Sequence, residues 1–178
     1  YEVPGDISSA SFFIVLTLLS ENSQLIIKNV NINQSRTGII TILNKMGAGI
    51  KLKDKKVYNG EDIANIHIKS KKNLNGVSCP SKLNSSAIDE FLIIFLVAAR
   101  ARGISKFKDL GEMNKKESKR LDLAIKFLEL IGIKVDRLKN NINIHGNPDL
   151  VLSGNYEIKN FLKDHRIFFL SCITALTL

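Results

Sequence analysis

The chain has 178 residues, a length that suits one full-sized domain and is short for two. Apolar residues make up 44% and charged residues 24%, close to the averages of globular proteins, so the composition excludes a disordered chain. With 26 basic and 17 acidic side chains the net charge is +9, which favours an anionic partner: nucleic acid, an acidic membrane surface or a phosphorylated small molecule.

Neither the cysteines nor the apolar runs indicate a zinc site, a redox pair or a membrane span. Cys79 and Cys172 lie far apart without CxxC spacing, which is typical of a reduced, cytoplasmic protein. The longest apolar runs, 10–19 and 91–99, are shorter than the roughly 20 residues of a membrane span, so we predict buried helices. The chain starts at Tyr1 without a signal-peptide pattern and stops inside an apolar helical pattern, so we expect a part of a larger protein.

The first part of the chain predicts a helix, a strand, a second helix and two strands. Asp6, Ser8 and Ser9 precede an apolar run and are predicted to cap the first helix. Apolar residues at helical spacing, closed by Gly47, predict the second helix. The predicted elements span residues 10–19, 24–30, 36–46, 50–53 and 63–69.

The same order of elements then recurs. The second series is predicted at residues 89–102, 104–110, 121–131, 133–138 and 141–145, and a third begins at Asp164. Asp6, Asp89 and Asp164 are spaced 83 and 75 residues apart, which indicates repeat units at about 5–70, 76–146 and 148–178, the last incomplete. Since the helices are strongly apolar and the strands are polar on one face, we expect the helices inside and the sheets outside.

Charged residues gather where these units lead into helices. The three groups are Asp89-Glu90, Lys115 to Arg120, and Asp164-His165-Arg166. Each has an ordinary interpretation, because an Asp before an apolar helix is usually a cap and surface lysines are usually solvated. Equivalent points of a pseudo-symmetric fold lie close together, however. We therefore expect the three helix N-termini to face one opening and to bind an anion through their amide groups and dipoles.

Six motifs then carry a resemblance to a known family. They are GDISSASFF at 5–13, NxxRTG at 33–38, KMGA at 45–48, IDEF at 88–91, KESKR at 116–120 and DHR at 164–166. In order and spacing they resemble 5-enolpyruvylshikimate-3-phosphate synthases, whose chains are more than twice as long. These motifs belong to the second of that family's two domains. The resemblance therefore implies that residues 1–178 are most of a C-terminal domain and that the N-terminal domain is absent.

The fold implied by the resemblance is an α/β fold, of the α+β kind. Its βαβαββ units form an inside-out barrel with helices inside and sheets outside. The implied reaction belongs to the shikimate pathway of aromatic amino acid biosynthesis: a transferase moves the enolpyruvyl group of phosphoenolpyruvate to the 5-hydroxyl of shikimate 3-phosphate and releases phosphate, without a metal or cofactor. The implied partners are these two substrates and the N-terminal domain, with no nucleic acid or membrane. We expect the chain alone to be inactive, because half of the cleft would be missing.

The resemblance also implies roles for individual residues. Asp89 would bind the shikimate hydroxyls and act as the base, and Glu117 would donate the proton to the methylene carbon. Lys116 would contact both substrates. The carboxylate and phosphate of phosphoenolpyruvate would be bound by Arg120 and Arg166. His165 would orient Arg166 or contact developing charge, or it has the ordinary role of packing and hydrogen bonding locally. Two positions depart from the family pattern: Lys119 stands where an acid is usual, and Asn114 stands where Arg is common.

Two other functions remain open from the sequence. A related enolpyruvyl transferase acts on a nucleotide sugar and shares the fold, although KESKR and DHR fit the shikimate enzyme better. A non-enzymatic module that binds phosphate or nucleic acid is permitted by the net charge of +9.

Overall fold

Two helices and three strands make up the first repeat unit. The computed structural model of the protein describes residues 3–115, 118–158 and 164–178. The first helix begins at Ile7, three residues before the predicted apolar run, because the side chain of Asp6, one of the predicted caps, accepts a hydrogen bond from the amide of Ser9. Helix α1 spans Ile7–Leu19, strand β1 Gln24–Asn31, helix α2 Gly38–Lys45, strand β2 Lys51–Tyr58 and strand β3 Glu61–Lys69.

The second unit repeats this order of elements. Helix α3 spans Phe91–Arg100, strand β4 Gly103–Phe107, helix α4 Arg120–Leu130, strand β5 Val135–Leu138 and strand β6 Asn141–Gly146. Helix α5, His165–Thr177, follows. Short 3-10 turns at Ser81–Leu83, Ser85–Ala87 and Leu110–Lys115 precede α3 and α4.

Each unit forms its own sheet, and the two sheets have the same topology. Each sheet has three antiparallel strands with the last strand in the middle, in the orders β1-β3-β2 and β4-β6-β5. A short segment ahead of each unit's first helix also pairs in parallel with the first strand: Gly5 with Val30, and Ser78 with Lys106. Counting these segments, each unit runs βαβαββ, as the resemblance implies.

The helices lie inside and the sheets outside, as predicted. Helices α1, α3 and α5 contact one another, and every residue of α3 except Arg100 is buried. Phe91 and Phe95 of α3 and Phe107 of β4 form an aromatic cluster with ring centroids 5.0 to 5.9 Å apart. No helix in the described ranges is long and apolar enough to span a bilayer.

Most predicted elements are confirmed to within a few residues, and the exceptions have local causes. The prediction that Asp89 opens its helix is wrong, because α3 begins only at Phe91. The strand predicted at 104–110 ends at Phe107, since Asp109 adopts a left-handed backbone with φ 59° that interrupts the ladder. Ser8 was also predicted as a cap, but its side chain bonds elsewhere.

Strand β2 is twice as long as the sequence predicts. The expectation was a short strand at 50–53, but pairing with β3 continues to Tyr58 across a register shift. This edge strand reads KLKDKKVY, and after Leu52 the charged run from 53 to 56 contains no apolar residue, so the alternation of apolar and polar residues that marks a strand is lost there. Charged side chains are favourable there because they discourage pairing with another chain.

Candidate active site

Asp89 lies in the turn before α3 and directs its side chain towards other helix starts. Its Oδ1 atom accepts a hydrogen bond of 3.1 Å from Nη1 of Arg120. Asp89 is thus an ion-pair partner rather than the helix cap that an isolated motif suggests. Its side chain remains 30% exposed, so it is accessible from one side.

Arg120 is the first residue of α4 and links two of the three helix starts. Its side chain is 7% exposed and lies between two carboxylates. Nη1 donates to Asp89, while Nε donates to Oδ2 of Asp164 at 2.9 Å. A buried guanidinium requires such partners, because an unpaired buried charge is strongly unfavourable.

Asp164 caps α5 and at the same time holds Arg120. One carboxylate oxygen accepts the amide of Arg166 at 3.0 Å, and the other accepts Ser118 Oγ at 2.7 Å together with Arg120. Burial alone would raise the pKa of Asp164, but the hydrogen bonds from Ser118, Arg120 and the Arg166 amide outweigh burial and lower it. The residue is therefore held as a carboxylate.

Arg166 approaches Asp89 from the third helix start. Its Nη1 atom donates to the backbone oxygen of Asp89 at 2.9 Å, and its Nη2 atom lies 3.9 Å from the Asp89 carboxylate. Its Nε atom is buried and has no hydrogen-bond acceptor within the described ranges. The guanidinium thus keeps hydrogen-bonding capacity beyond its contacts with Asp89.

The structure brings together three of the residues singled out from the sequence, Asp89, Arg120 and Arg166. His165 lies at the same helix start but is exposed, and its side chain forms no hydrogen bond with the described part of the chain. The described part of the chain thus shows no hydrogen bond from His165 to Arg166, whose guanidinium donates to Asp89. Lys116 and Glu117, the other predicted site residues, lie outside the described residues.

A second polar cluster borders this site, and the sequence did not reveal it. Arg36 donates from Nη2 to Asp6 at 3.1 Å and to Ser8 Oγ at 3.0 Å. Ser8 donates in turn to Glu90 Oε1 at 2.5 Å. The prediction of Ser8 as a cap is therefore wrong, because Asp6 fills that role. The only available signals were the presence of Arg36 in NxxRTG and of Glu90 in IDEF.

The glycine of NxxRTG explains how this cluster reaches the turn before α3. A Cβ atom added to Gly38 would lie 2.5 Å from Ser86 Oγ and 2.7 Å from its backbone. Only glycine allows this close approach of α2 to the 3-10 turn that leads to Asp89. The motif thus places Arg36 beside the site.

The two departures from the family pattern have different structural outcomes. Asn114 Oδ1 accepts the amide of Leu121 at 3.0 Å, and its Nδ2 donates to Asp122 at 2.9 Å, so Asn114 caps α4 from the preceding turn. Lys119 occupies the N-cap position itself but makes no capping hydrogen bond. Local ion pairing persists, since Arg137 bonds Asp122 at 2.7 Å.

Two guanidinium groups and the N-termini of α3, α4 and α5 therefore meet around the partly exposed Asp89. Donors and positive helix ends in this arrangement suit an anionic ligand, and the carboxylate suits a hydroxyl or a proton transfer. In the described ranges, His, Cys, Asp and Glu form no group of three or more that could hold a metal ion.

Comparison with known proteins gives this arrangement a family. The family model of EPSP synthase (3-phosphoshikimate 1-carboxyvinyltransferase) matches residues 1–178. The chain belongs to the EPSP synthase family. It is 38% identical over 174 residues to the 3-phosphoshikimate 1-carboxyvinyltransferase of Petrotoga mobilis, and 36% identical over 173 residues to that of Bacillus pumilus.

The structure supports the same relationship. A solved EPSP synthase from Acinetobacter baumannii superposes with a TM-score of 0.91 at 34% identity, covering 98% of this chain and 40% of that one. The chain covers 39% of the Petrotoga and 40% of the Bacillus relative, while 98% and 97% of its own length is matched. It thus corresponds to about two fifths of the EPSP synthases that it matches, and it has their inside-out α/β fold.

Proposed function

We propose that this chain supplies one part of the active site of an enolpyruvyl transferase. The reaction joins phosphoenolpyruvate to the 5-hydroxyl of shikimate 3-phosphate and releases phosphate. The observation that carries the proposal is the meeting of Asp89, Arg120 and Arg166, from three separate motifs, in a chain that belongs to the EPSP synthase family. Residues 31 and 77 positions apart along the chain would then act on the same substrates.

Asp89 is the proposed base. As the 5-hydroxyl oxygen attacks C2 of phosphoenolpyruvate, its proton passes to the carboxylate, and the methylene carbon takes a proton from an acid. The tetrahedral adduct then loses a proton from the new methyl group and expels phosphate, which restores the double bond. Nη1 of Arg120, 3.1 Å from Oδ1, fixes the direction of the Asp89 carboxylate.

Arg166 and Arg120 are the proposed ligands of phosphoenolpyruvate. Arg166 has the more accessible guanidinium, with its side chain 17% exposed, and its Nη2 lies beside Asp89 at 3.9 Å. Arg120 is more buried and uses Nε and Nη1 for two carboxylates, so its Nη2 is the atom that we assign to the substrate. Paired N–H donors match the carboxylate and phosphate of phosphoenolpyruvate.

The remaining assignments rest on the sequence motifs. Glu117 is the proposed proton donor and Lys116 the proposed contact to both substrates. His165 is exposed at the start of α5 and would contact phosphoenolpyruvate directly. We further propose that the enzyme is cytoplasmic, which agrees with its two free cysteines, and that an N-terminal domain supplies the rest of the cleft.

The test is a chimera in which residues 1–178 replace the matching segment of the Petrotoga mobilis relative. We expect it to release phosphate when phosphoenolpyruvate and shikimate 3-phosphate are both present, and we expect the 178-residue chain alone to release none. A nucleotide sugar offered in place of shikimate 3-phosphate should not support release. Turnover by the chain alone, or preference for the nucleotide sugar, would contradict the proposal.

A further inference from the structure

Glu90 is a buried acidic residue to which the proposed reaction gives no role. It is 3% exposed and occupies the N-cap position of α3, yet its side chain caps nothing there. Instead Oε1 accepts the hydrogen bond from Ser8 Oγ, a residue 82 positions away at the start of α1. The carboxylate therefore connects two helix starts.

The hydrogen bond from Ser8 belongs to a directed chain. A serine hydroxyl has a single proton, and Ser8 gives that proton to Glu90. Its oxygen then accepts from Arg36, whose guanidinium also binds Asp6. A continuous series of hydrogen bonds thus links Asp6 and Arg36 through Ser8 to Glu90. This series connects the first repeat unit to the turn before α3.

On its other side Glu90 adjoins the proposed base. The amide of Glu90 donates to the Ala87 carbonyl, and its carbonyl accepts the amide of Ile94, so its backbone is fixed in the turn. The carbonyl of the preceding peptide unit, that of Asp89, accepts Arg166 Nη1. Any displacement of Glu90 therefore moves both the acceptor that holds Arg166 and the Cα from which the Asp89 carboxylate projects.

We propose that Glu90 is a positioning residue that acts through its hydrogen bond from Ser8 and fixes Asp89 and Arg166 in the geometry that the reaction needs. The proposal rests on the proposed function. It assigns a catalytic consequence to a contact outside the residues that would touch the substrates. It also explains why a carboxylate is buried at this position, where an apolar residue would pack without a desolvation penalty.

The first test uses the 178-residue chain and does not depend on activity. In a chain labelled with 15N-arginine, the Nε–Hε proton of Arg166, which is assigned by its loss in Arg166→Lys, reports how firmly this buried group is held. Glu90→Ala should speed its exchange with solvent by about tenfold or more. Glu90→Gln should not, because its amide oxygen still accepts from Ser8. The control Leu92→Ala truncates a buried apolar neighbour in α3.

The second test uses the chimera and separates positioning from stability. Glu90→Ala should lower kcat/KM for phosphoenolpyruvate by about 10²-fold, the scale of a small misplacement of reacting groups, and Glu90→Gln should restore it to within a few-fold of the parent. Leu92→Ala should lower the thermal midpoint at least as much as Glu90→Ala while keeping kcat/KM near the parent value.

The two measurements distinguish a positioning role of Glu90 from a purely structural one. If Glu90→Ala leaves both the Arg166 exchange rate and kcat/KM unchanged, or if Leu92→Ala changes them equally, Glu90 has only a structural role and the inference is wrong. If Glu90→Gln fails to restore them, the hydrogen bond is not the agent and the inference is also wrong. A parent chimera without turnover would overturn the proposed function instead, and the exchange measurement would still decide the role of Glu90.

Discussion

The two arginines of the site have different surroundings, and this difference suggests a division of labour. Arg120 is 7% exposed and lies between two carboxylates, so it holds the helix starts together. Arg166 is 17% exposed and lies 3.9 Å from the Asp89 carboxylate. Among the described residues its side chain has one hydrogen-bond acceptor, the backbone oxygen of Asp89. An anionic ligand therefore competes with fewer protein acceptors for the N–H groups of Arg166 than for those of Arg120.

We predict that Arg166→Lys in the chimera raises KM for phosphoenolpyruvate by about tenfold, because lysine keeps the charge but loses the paired donors. KM for shikimate 3-phosphate should stay within about twofold of the parent value. Steady-state kinetics with each substrate varied in turn measures both. The matched control is Arg137→Lys, which alters an ion pair with Asp122 on the surface. An equal rise in both KM values would contradict the assignment.

Two buried carboxyl groups near the site have pKa values moved in opposite directions. Burial raises the pKa of Glu90 above its ordinary value of 4.5; the Ser8 hydrogen bond opposes this, Asp89 adds to it, and Arg166 and Arg36 reduce it. The pKa of Asp164 is lowered instead. The folded state therefore binds more protons than the unfolded state at Glu90 and fewer at Asp164.

The raised pKa of Glu90 determines how its contribution to stability changes with pH. As the pH rises from 4.5 through the folded pKa of Glu90, the folded state loses stability at that group. We predict that Glu90→Gln removes this loss, so its free energy of unfolding relative to the parent increases as the pH rises through that window. Urea unfolding of the 178-residue chain between pH 4 and pH 7 measures the difference. A difference that is independent of pH would contradict the raised pKa.

At the scale of elements, the start of α4 depends on a residue outside the helix. Asn114 accepts the amide of Leu121 and donates to Asp122, while Lys119 in the N-cap position contributes no capping bond. We predict that Asn114→Ala lowers the free energy of unfolding by about 1 kcal/mol, the usual cost of losing a cap. Lys119→Ala is the control and should change it by less than about 0.5 kcal/mol. Urea unfolding measures both values, and equal free energies of unfolding for the two variants would contradict the capping role of Asn114.

The helices and most strands could be predicted from the sequence because their signals are local. The apolar run of α1 and its cap at Asp6 lie within a few residues of each other. The alternation of strand β3 is likewise contained within the strand itself. The full length of strand β2 could not be predicted, because its charged residues remove the alternation and its length depends on pairing with β3. The 3-10 turn Ser85–Ala87 precedes α3, which therefore begins after Asp89, and this turn has no comparable local signature in the sequence.

At the scale of the whole molecule, the repeat predicted that helix starts converge but not which side chains meet there. The spacing of Asp6, Asp89 and Asp164 indicated equivalent positions, and the structure brings Asp89 and Asp164 to the same guanidinium. The bond between Ser8 and Glu90 spans 82 residues and has no signature in a single sequence. Such contacts depend on the packing of α1 against α3, which the helix patterns alone do not determine.

If the cluster of helix starts around Asp89 carries out the chemistry, Asp89→Asn in the chimera loses turnover, and this measurement tests the site most directly. Asparagine keeps an oxygen acceptor for Arg120 but cannot take the proton of the 5-hydroxyl. We predict that kcat for phosphate release falls by about 10²-fold or more, with both KM values within a few-fold of the parent. Asp149→Asn, at an exposed position, is the control and should retain the parent kcat. If Asp89→Asn also retains the parent kcat, the catalytic base lies elsewhere and the account of this site is wrong.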